Sequence, residues 1–261
     1  MINKLRNDFK NFFDSTTLFL RVSGIILISI TLISVLISTI TISLSKKAIA
    51  DTFSKSNYKV LSQISENFNE LNSRIIIAMD IVSESYDFQN FLTNPHLSPQ
   101  EYFKTLYNID KTLGNYLSSQ DSNGITICVA GVNEQRYVQN NDTMLLTTKE
   151  LLNNDITKKA LENENQIFYQ YYSSGFTKTT NSSGGWVAIK VLHNKYTKEI
   201  YGYVYAFINQ EYLKNYYMPF VGNGNDICII SDNGTIVSSN LKKQMGTVDL
   251  NLYRISKKNY R

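Results

Sequence analysis

Hydrophobic residues follow three different patterns along this chain, and each pattern predicts a different kind of structure. The first is a run from Val22 to Ser45 without a charged residue, closed by Arg21 on one side and by Lys46 and Lys47 on the other. A helix needs roughly 20 apolar residues to cross a bilayer. The run is therefore predicted to be a transmembrane helix, because a core helix of this length would carry a polar face.

A cleaved signal peptide is the alternative interpretation of this run. Ala48-Ile49-Ala50 has the small residues of a cleavage site. The run is longer than the roughly 7–15 residues of a signal-peptide core, which favours an uncleaved anchor. Charge leaves the orientation open, since four Lys or Arg residues lie near each end of the run and the positive-inside rule gives a tie.

The second pattern is a series of apolar residues with alternating spacings of three and four. Its members are Leu61, Ile64, Phe68, Leu71, Ile75, Ala78 and Val82. This spacing predicts a helix with one buried seam. Because Gly and Pro are absent from Lys46 to Thr93, one stalk helix is expected over 46–93. The seam packs on its own domain, forms a parallel homodimer contact near the membrane, or does both.

The third pattern begins at Gly124, where the period shortens toward the two residues of a strand. Strands are predicted at Ile125 to Ala130, Arg136 to Gln139, Gln166 to Tyr172, Trp186 to Leu192 and Ile200 to Ile208. Helices are predicted after the capping box Ser98-Pro99-Gln100-Glu101, within Leu145 to Leu161, and at Gln210 to Tyr217. The fold class is therefore α+β.

A strand–turn–strand element occurs twice, 100 residues apart. Ile127-Cys128-Val129 opens the first copy, and Ile227-Cys228-Ile229 opens the second, whose turn contains the hairpin signal Asn233-Gly234. We interpret the two as the opening hairpins of two similar modules. Cys128 and Cys228 then lie in different modules, and we predict that they form no disulfide, which would need Cα atoms within about 7 Å.

Charge and composition narrow the classes of function. The first 50 residues hold six of the 26 Lys and Arg and two of the 22 Asp and Glu, so the rest carries 20 of each sign. A neutral domain lacks the basic stripe of a nucleic-acid binder, whereas lysines beside the anchor suit contact with a lipid bilayer. Two His and two Cys at these spacings predict no metal site, and without a phosphate loop or nucleophile elbow we expect no cofactor and no enzyme activity.

The order of these elements resembles the double-Cache extracytoplasmic sensor of bacterial membrane receptors, most of all Cache-bearing sensor histidine kinases. The residues that carry the resemblance are Gly-Trp-Val-Ala-Ile-Lys-Val-Leu-His-Asn from 185, Glu-Ile-Tyr-Gly-Tyr-Val-Tyr-Ala-Phe-Ile from 199, and Ile-Cys-Ile-Ile-Ser-Asp-Asn-Gly-Thr-Ile-Val-Ser-Ser-Asn from 227. It implies a cytoplasmic tail at 1–21, a transmembrane helix at 22–45 and the stalk at 46–93. A PAS-like antiparallel membrane-distal module is implied at 94–218 and the start of a membrane-proximal one at 219–261.

The resemblance implies a single-pass protein of the cell membrane with its bulk outside, which senses a small solute for a two-component pathway. The second module is incomplete, and no kinase core precedes Arg261. The amino-acid-binding version of these sensors has an Arg followed closely by Trp and Tyr, whereas Tyr137 and Val138 follow Arg136 here. An amino-acid ligand is therefore not expected. A membrane-anchored or secreted solute-binding or adhesive protein without signalling is the alternative.

Binding is the chemistry that remains, and aromatic residues of the best strands are its candidates. Tyr201, Tyr203 and Tyr205 alternate along one strand, while Trp186, Ala188 and Lys190 alternate along its neighbour. Such a surface provides aromatic walls and a charged anchor for a small molecule, although tyrosines are also good strand formers on a half-exposed sheet. The predicted ligand-binding residues are Arg136, Tyr137, Trp186, Lys190, Tyr203 and Tyr205.

Overall fold

The computed structural model describes residues 18–117, 124–222, 226–231, 233–241 and 244–259. It divides into two compact units, residues 1–62 and residues 63–261. The predicted stalk is therefore shared between the two units, because its second half belongs to the larger one. Most of the predicted cytoplasmic tail lies outside the described residues.

The described part of the first unit is helical, as the start of α1 (Leu18–Glu84). This helix is long and apolar enough to cross a membrane, and none of its most apolar stretch is buried within the protein. The hydroxyl of Thr31 donates to the carbonyl of Ile28 over 2.8 Å, and that of Thr41 donates to Ile37 over 2.8 Å. Bonds of this kind satisfy hydroxyl groups inside a helix, so these residues are compatible with lipid.

The predicted stalk helix ends earlier than the absence of Gly and Pro suggests. α1 stops at Glu84, and Ser85 takes an extended conformation with φ −74° and ψ 124°. Its side chain accepts a hydrogen bond from the backbone N–H of Phe88 and so caps α2 (Tyr86–Thr93). A serine that bonds locally competes with helix continuation, which is the physical reason for the break.

α3 (Pro99–Gly114) begins with the predicted capping box. The Ser98 hydroxyl accepts from the backbone N–H of Glu101, whose carboxylate accepts from the N–H of Ser98. Within α3, the side chains of Ile109 and Leu113 are buried, whereas that of Phe103 remains 69% exposed. The buried residues of α2 and α3 share one core with the seam of α1, whose members from Leu71 to Val82 are completely buried.

A five-stranded antiparallel sheet forms the centre of the larger unit, in the order β2–β1–β5–β4–β3. Its strands are β1 (Ile125–Gly131), β2 (Arg136–Val138), β3 (Phe168–Tyr172), β4 (Gly185–His193) and β5 (Ile200–Asn209). β4 and β5 form the predicted hairpin, and the whole of β1 pairs with β5. The sheet therefore confirms the α+β class and the strands expected from the sequence.

Alternation along the strands divides the sheet into two buried faces. The first, here called the helix face, packs on the seam of α1, on α2 and on α3, and includes Ile127, Ala188 and Val204. The second, here called the loop face, includes Cys128 and Ile189. Both faces are covered, which explains why the central strands read as nearly continuous apolar runs.

Shorter elements complete the chain. They are α4 (Thr148–Leu152), α5 (Asp155–Leu161), α6 (Gln210–Lys214), β6 (Cys228–Ile230), β7 (Ile236–Ser239) and α7 (Leu250–Asn259), with single 3₁₀ turns at Gln139–Asn141 and Met218–Phe220. The N-cap residues Thr147 and Asn154 start α4 and α5 with side-chain hydrogen bonds. α4 and α5 lie over the loop face, where Leu151 and Ile156 are buried.

The second hairpin, β6 and β7, forms a sheet of its own. Two strands alone are marginally stable in water. Here the hairpin is supported by neighbouring elements of the larger unit, because Val237 joins the helix-face core and the hydroxyls of Tyr217 and Ser238 lie 2.8 Å apart. The cysteines are unbonded, as predicted, with Cys128 in the large sheet and Cys228 in the small one.

Candidate functional site

The six predicted ligand-binding residues divide between the two faces of the sheet. In the register of β4 and β5, Lys190 pairs with Val204 and Ile189 pairs with Tyr205, so Lys190 and Tyr205 point to opposite sides. The expectation that the tyrosines of β5 and the alternating residues of β4 form one surface is therefore wrong. The period of a strand shows which of its own residues point to the same side of the sheet. It does not show how the residues of two strands align with each other.

Tyr201 departs from the alternation of β5 for a separate reason. The pairing shifts between Leu192 and His193, which is a β-bulge. Two consecutive residues of β5 then point to the same side of the sheet. Tyr201 therefore lies in the helix-face core, whereas Tyr203 lies on the loop face. Burial there raises the pKa of the Tyr201 hydroxyl to about 12.

Tyr137 and Lys190, two of the residues on the helix face, bond to helices. The hydroxyl of Tyr137 donates to the Asp110 carboxylate of α3 over 2.5 Å. Lys190 Nζ lies 2.6 Å from Asp80 Oδ1 and 3.1 Å from Ser83 Oγ, both on α1. These contacts fasten the sheet to the helices.

Trp186, the third residue on this face, is partly buried and stacks with two aromatic rings. Its ring centroid lies 5.3 Å from that of Phe68 on α1 and 4.7 Å from that of Tyr169 on β3, in stacked arrangements. The Tyr169 hydroxyl donates to Asn72 on α1 over 2.9 Å. Stacking of this kind stabilises the contact of the sheet with α1, so the Trp186 ring serves the packing of the domain.

The loop face carries Arg136, Tyr203 and Tyr205. Arg136 is exposed on the edge strand β2, and its Nη1 donates to the carbonyl of Leu146 over 2.8 Å. Tyr203 retains 6% exposure, and Tyr205 is completely buried. These three residues are the part of the predicted set that the fold brings to one side of the sheet.

A pair of buried hydroxyls leaves one acceptor free on this face. Thr157 Oγ1 lies 2.7 Å from the carbonyl of Leu151, which can only accept, so the threonine donates its single proton there. Tyr205 Oη lies 3.0 Å from Thr157 Oγ1 and must therefore donate to it. That bond uses the proton of the Tyr205 hydroxyl and leaves its oxygen able to accept a hydrogen bond from a ligand, since no described residue donates to it. Burial keeps the pKa of this hydroxyl above the ordinary value.

The loop between β3 and β4 covers the middle of the loop face. Phe176 lies in this loop and is 1% exposed. Its ring centroid lies 5.1 Å from that of Tyr172, 5.6 Å from that of Tyr205 and 6.3 Å from that of Phe207. A side chain from an irregular segment thus fills the space above the strands.

Polar side chains hold this loop at its rim. The backbone N–H and the hydroxyl of Thr179 both donate to the carboxylate of Asp142. Partial burial raises the pKa of Asp142, but hydrogen bonds from Thr177, Thr179 and Thr143 outweigh that effect, so its pKa lies below the ordinary value. Asp142 is therefore ionised at neutral pH and accepts the bonds that anchor the loop.

Asp142, Thr157 and Phe176 were not predicted from the sequence. Asp142 and Thr157 meet their partners only through the fold, across 37 and 48 residues respectively. Phe176 carries a weak signal, since it is the single large apolar residue between Ser173 and Gly185. An isolated aromatic residue in a polar loop indicates a side chain that folds back onto the core.

Other depressions and clusters add little chemistry. An open depression of about 420 Å³ lies beside α1, lined by Ile77, Asp80, Ile81, Glu84, Ser85 and Thr112. Its mouth is wide, and it lies apart from the loop face. Within the described residues, no three His, Cys, Asp or Glu side chains group as metal ligands.

The fold defined here, an antiparallel sheet between long helices and a loop cover, is that of Cache-type ligand-binding domains. No protein-family model and no curated protein matches the chain. Solved structures do match it. The ligand-binding domain of the Pseudomonas aeruginosa PAO1 amino acid chemoreceptor PctB, in complex with L-Gln, is 10% identical with a TM-score of 0.51, over 76% of this chain and 72% of that one.

Two further structures have the same fold. The extracellular domain of vpHK1S-Z8, described as a histidine kinase, is 11% identical with a TM-score of 0.50, over 75% of this chain and 73% of that one. An extracellular ligand binding receptor from Desulfohalobium retbaense DSM5692 is 12% identical with a TM-score of 0.51. The match covers 76% of this chain but only 33% of that receptor.

Proposed function

We propose that this chain is the membrane-anchored, extracytoplasmic sensing portion of a signal-transduction receptor of the sensor-kinase type. Residues 1–21 are its cytoplasmic tail, 22–45 its transmembrane helix and 46–93 its stalk. Residues 94–218 form the membrane-distal sensor module, and 219–261 begin a membrane-proximal one. The sensor binds a small solute and passes a change to the membrane helix.

The observation that carries this proposal is the continuity of α1. One uninterrupted helix, Leu18–Glu84, contains the apolar run and also the seam that forms the core of the sensor module. From Leu71 to Val82 the buried residues of that seam are completely enclosed. A helix with both parts suits a receptor, since a rearrangement of the sheet changes the packing of the same helix.

The proposed homodimer contact lies at the membrane-near end of the seam. Ile64 is 6% exposed, and Leu71, Ile75, Ala78 and Val82 are fully buried against their own sheet. A partner copy cannot reach these side chains in the folded protein. We therefore propose the contact before Ile64, where Leu61 is 51% exposed.

The loop face is the proposed ligand site, with Arg136, Tyr203 and Tyr205. It combines an exposed cation at the edge, aromatic walls and a free hydroxyl acceptor, which are the groups that orient a small ligand in an apolar site. Its cover consists of two short helices and a loop, which open at lower cost than a packed long helix. Tyr137, Trp186 and Lys190 are left outside the site, because their side chains contact the helices.

Thermal unfolding of the full chain in lipid nanodiscs, with a library of small metabolites, tests the binding role. A ligand that binds the native state raises Tm by mass action. We expect Tyr205→Phe and Arg136→Gln to reduce the rise, while Lys195→Gln, in the exposed β4–β5 turn, leaves it unchanged. A complete library without a shift, or a shift that survives both site variants, would overturn the proposed site.

Orientation is tested with intact cells. Protease added outside should remove the residues after the membrane helix, because the proposal places residues 51–261 outside. The same digestion after lysis is the control for cleavability. Protection in intact cells together with digestion after lysis would reverse the topology.

A further inference from the structure

We infer that Phe176 is a built-in plug of the proposed ligand site, and that a solute with a ring-sized apolar group enters by displacing it with the loop that carries it. This inference rests on the proposed function. It adds the class of ligand that the site would bind and the loop that would have to open for the ligand to enter. The loop, residues 173–184, contains no helix or strand.

The surroundings of Phe176 are those of a bound ring. Tyr172, Tyr205 and Phe207 surround it with aromatic faces and edges. The free lone pair of Tyr205 Oη lies on the same side of the sheet and is not used by the phenyl ring, which has no donor. A ligand that replaces the ring and carries a hydroxyl or an amine gains this hydrogen bond in addition to the apolar contact.

Hydrogen bonds among residues 175–183 keep the loop in its own shape, and a smaller set ties it to the rest of the domain, including the bond from the Gln210 N–H to the Gly184 carbonyl. Its backbone pairs with residues 143–145 through Lys178 N–H to Thr143 carbonyl, 2.8 Å, and Leu145 N–H to Phe176 carbonyl, 2.9 Å. The exposed clamp of Thr179 on Asp142 adds side-chain bonds. A segment whose hydrogen bonds are mostly internal, with few to its neighbours, opens as a unit at a fraction of the global stability.

Cys128 provides a natural reporter of this opening. It is completely buried on the loop face and stands opposite Tyr205 in the register of β1 and β5. With Cys228 replaced by Ser, it is the single thiol of the chain. Reaction of native protein with a thiol reagent then measures how often the loop face is uncovered.

The test compares Thr179→Val with Thr197→Val in this Cys228→Ser background of the full chain. The first removes the hydroxyl that donates to Asp142 and keeps the Asp142 charge; the second makes the same change in the exposed β4–β5 turn. We expect Thr179→Val to label about fivefold faster, the effect of one ordinary hydrogen bond lost from the closed state. The labelling rate should also be insensitive to low urea, because local opening exposes little surface.

Benzyl alcohol, a ring with one donor, probes the ligand class. If benzyl alcohol binds only when the loop is open, its apparent affinity increases with the fraction of molecules whose loop is open. In a thermal-shift titration, Thr179→Val should therefore bind it about fivefold more tightly than Thr197→Val does. Propane-1,2-diol, without a ring, should give no shift.

Three results would overturn the inference. They are equal labelling of the two variants, labelling only through global unfolding, and the absence of any benzyl alcohol shift. If a library solute binds both variants equally and depends on Arg136 and Tyr205, the role of Phe176 as a plug is refuted while the proposed sensor function is retained.

Discussion

The two faces of the sheet are both buried, yet they are covered by different kinds of structure. The helix face packs on α1, α2 and α3, with Lys190, Tyr137 and Tyr169 each bonded to a helix. The loop face is covered by α4 and α5, of five and seven residues, and by an irregular loop. Burial alone therefore does not separate a structural face from a binding face; the length and bonding of the covering elements do.

The two faces also differ in how a disturbance should spread. Continuous helices transmit strain along their axis, because each packed turn fixes the next. A short capped helix or a loop can detach without disturbing the rest. We therefore expect mutations of the helix face to change global stability and mutations of the loop face to change accessibility. The following predictions test this difference, from the largest expected effect to the smallest.

Leu71→Ala should produce the largest effect. Leu71 is completely buried in the helix-face core, and truncation of such a side chain typically costs about 2–5 kcal/mol of unfolding free energy. Leu61→Ala, on the same helix at 51% exposure, is the matched control and should change stability by no more than about 0.5 kcal/mol. Urea unfolding measures both, and equal losses would contradict the assignment of the seam to this core.

Alkaline pH should destabilise the protein through the loop face. Burial, helped by Asp142, raises the pKa of the Cys128 thiol from 9.0 to about 12. Between these values the unfolded thiol loses its proton while the folded one keeps it, so stability is intact below pH 9 and falls as pH rises. At pH 10.5 this amounts to about 2 kcal/mol.

Cys128→Ala isolates this contribution from that of the buried tyrosines, whose pKa values are also raised. The difference in unfolding free energy between the variant and the native chain should change by about 2 kcal/mol from pH 7 to pH 10.5. A constant difference over that range would show that the thiol is accessible in the folded state.

Breaking the Lys190–Asp80 pair should have the smallest effect on stability. The side chains are 27% and 51% exposed, and pairs this accessible to water contribute about 0.5–1 kcal/mol. A double-mutant cycle with Lys190→Ala and Asp80→Ala measures their coupling. Zero coupling would mean that this ion pair does not help to hold the helix face on the helices, and that apolar and aromatic packing holds it instead.

How much of the site was predictable depends on the distance over which its residues interact. The capping boxes at Ser98 and Thr147 and the hairpin at Asn233-Gly234 follow from neighbours three residues apart or fewer, so local chemistry specifies them. The apolar run of α1 and the period of its seam are equally local. Hence the sequence predicted the long apolar helix, the order of most elements and the α+β class, whereas the break at Ser85 and the helix Leu250–Asn259 escaped it.

Tertiary structure decided which residues share a surface. Tyr205 and Lys190 belong to adjacent strands, and one residue of register, together with the bulge near His193, places them on opposite faces. Phe176 and Asp142 came to the loop face through contacts of high sequence separation, and Lys190 met Asp80 across 110 residues. The sequence determined its elements because their causes lie within a turn of helix or a strand pair, whereas the site depends on register and packing between distant segments.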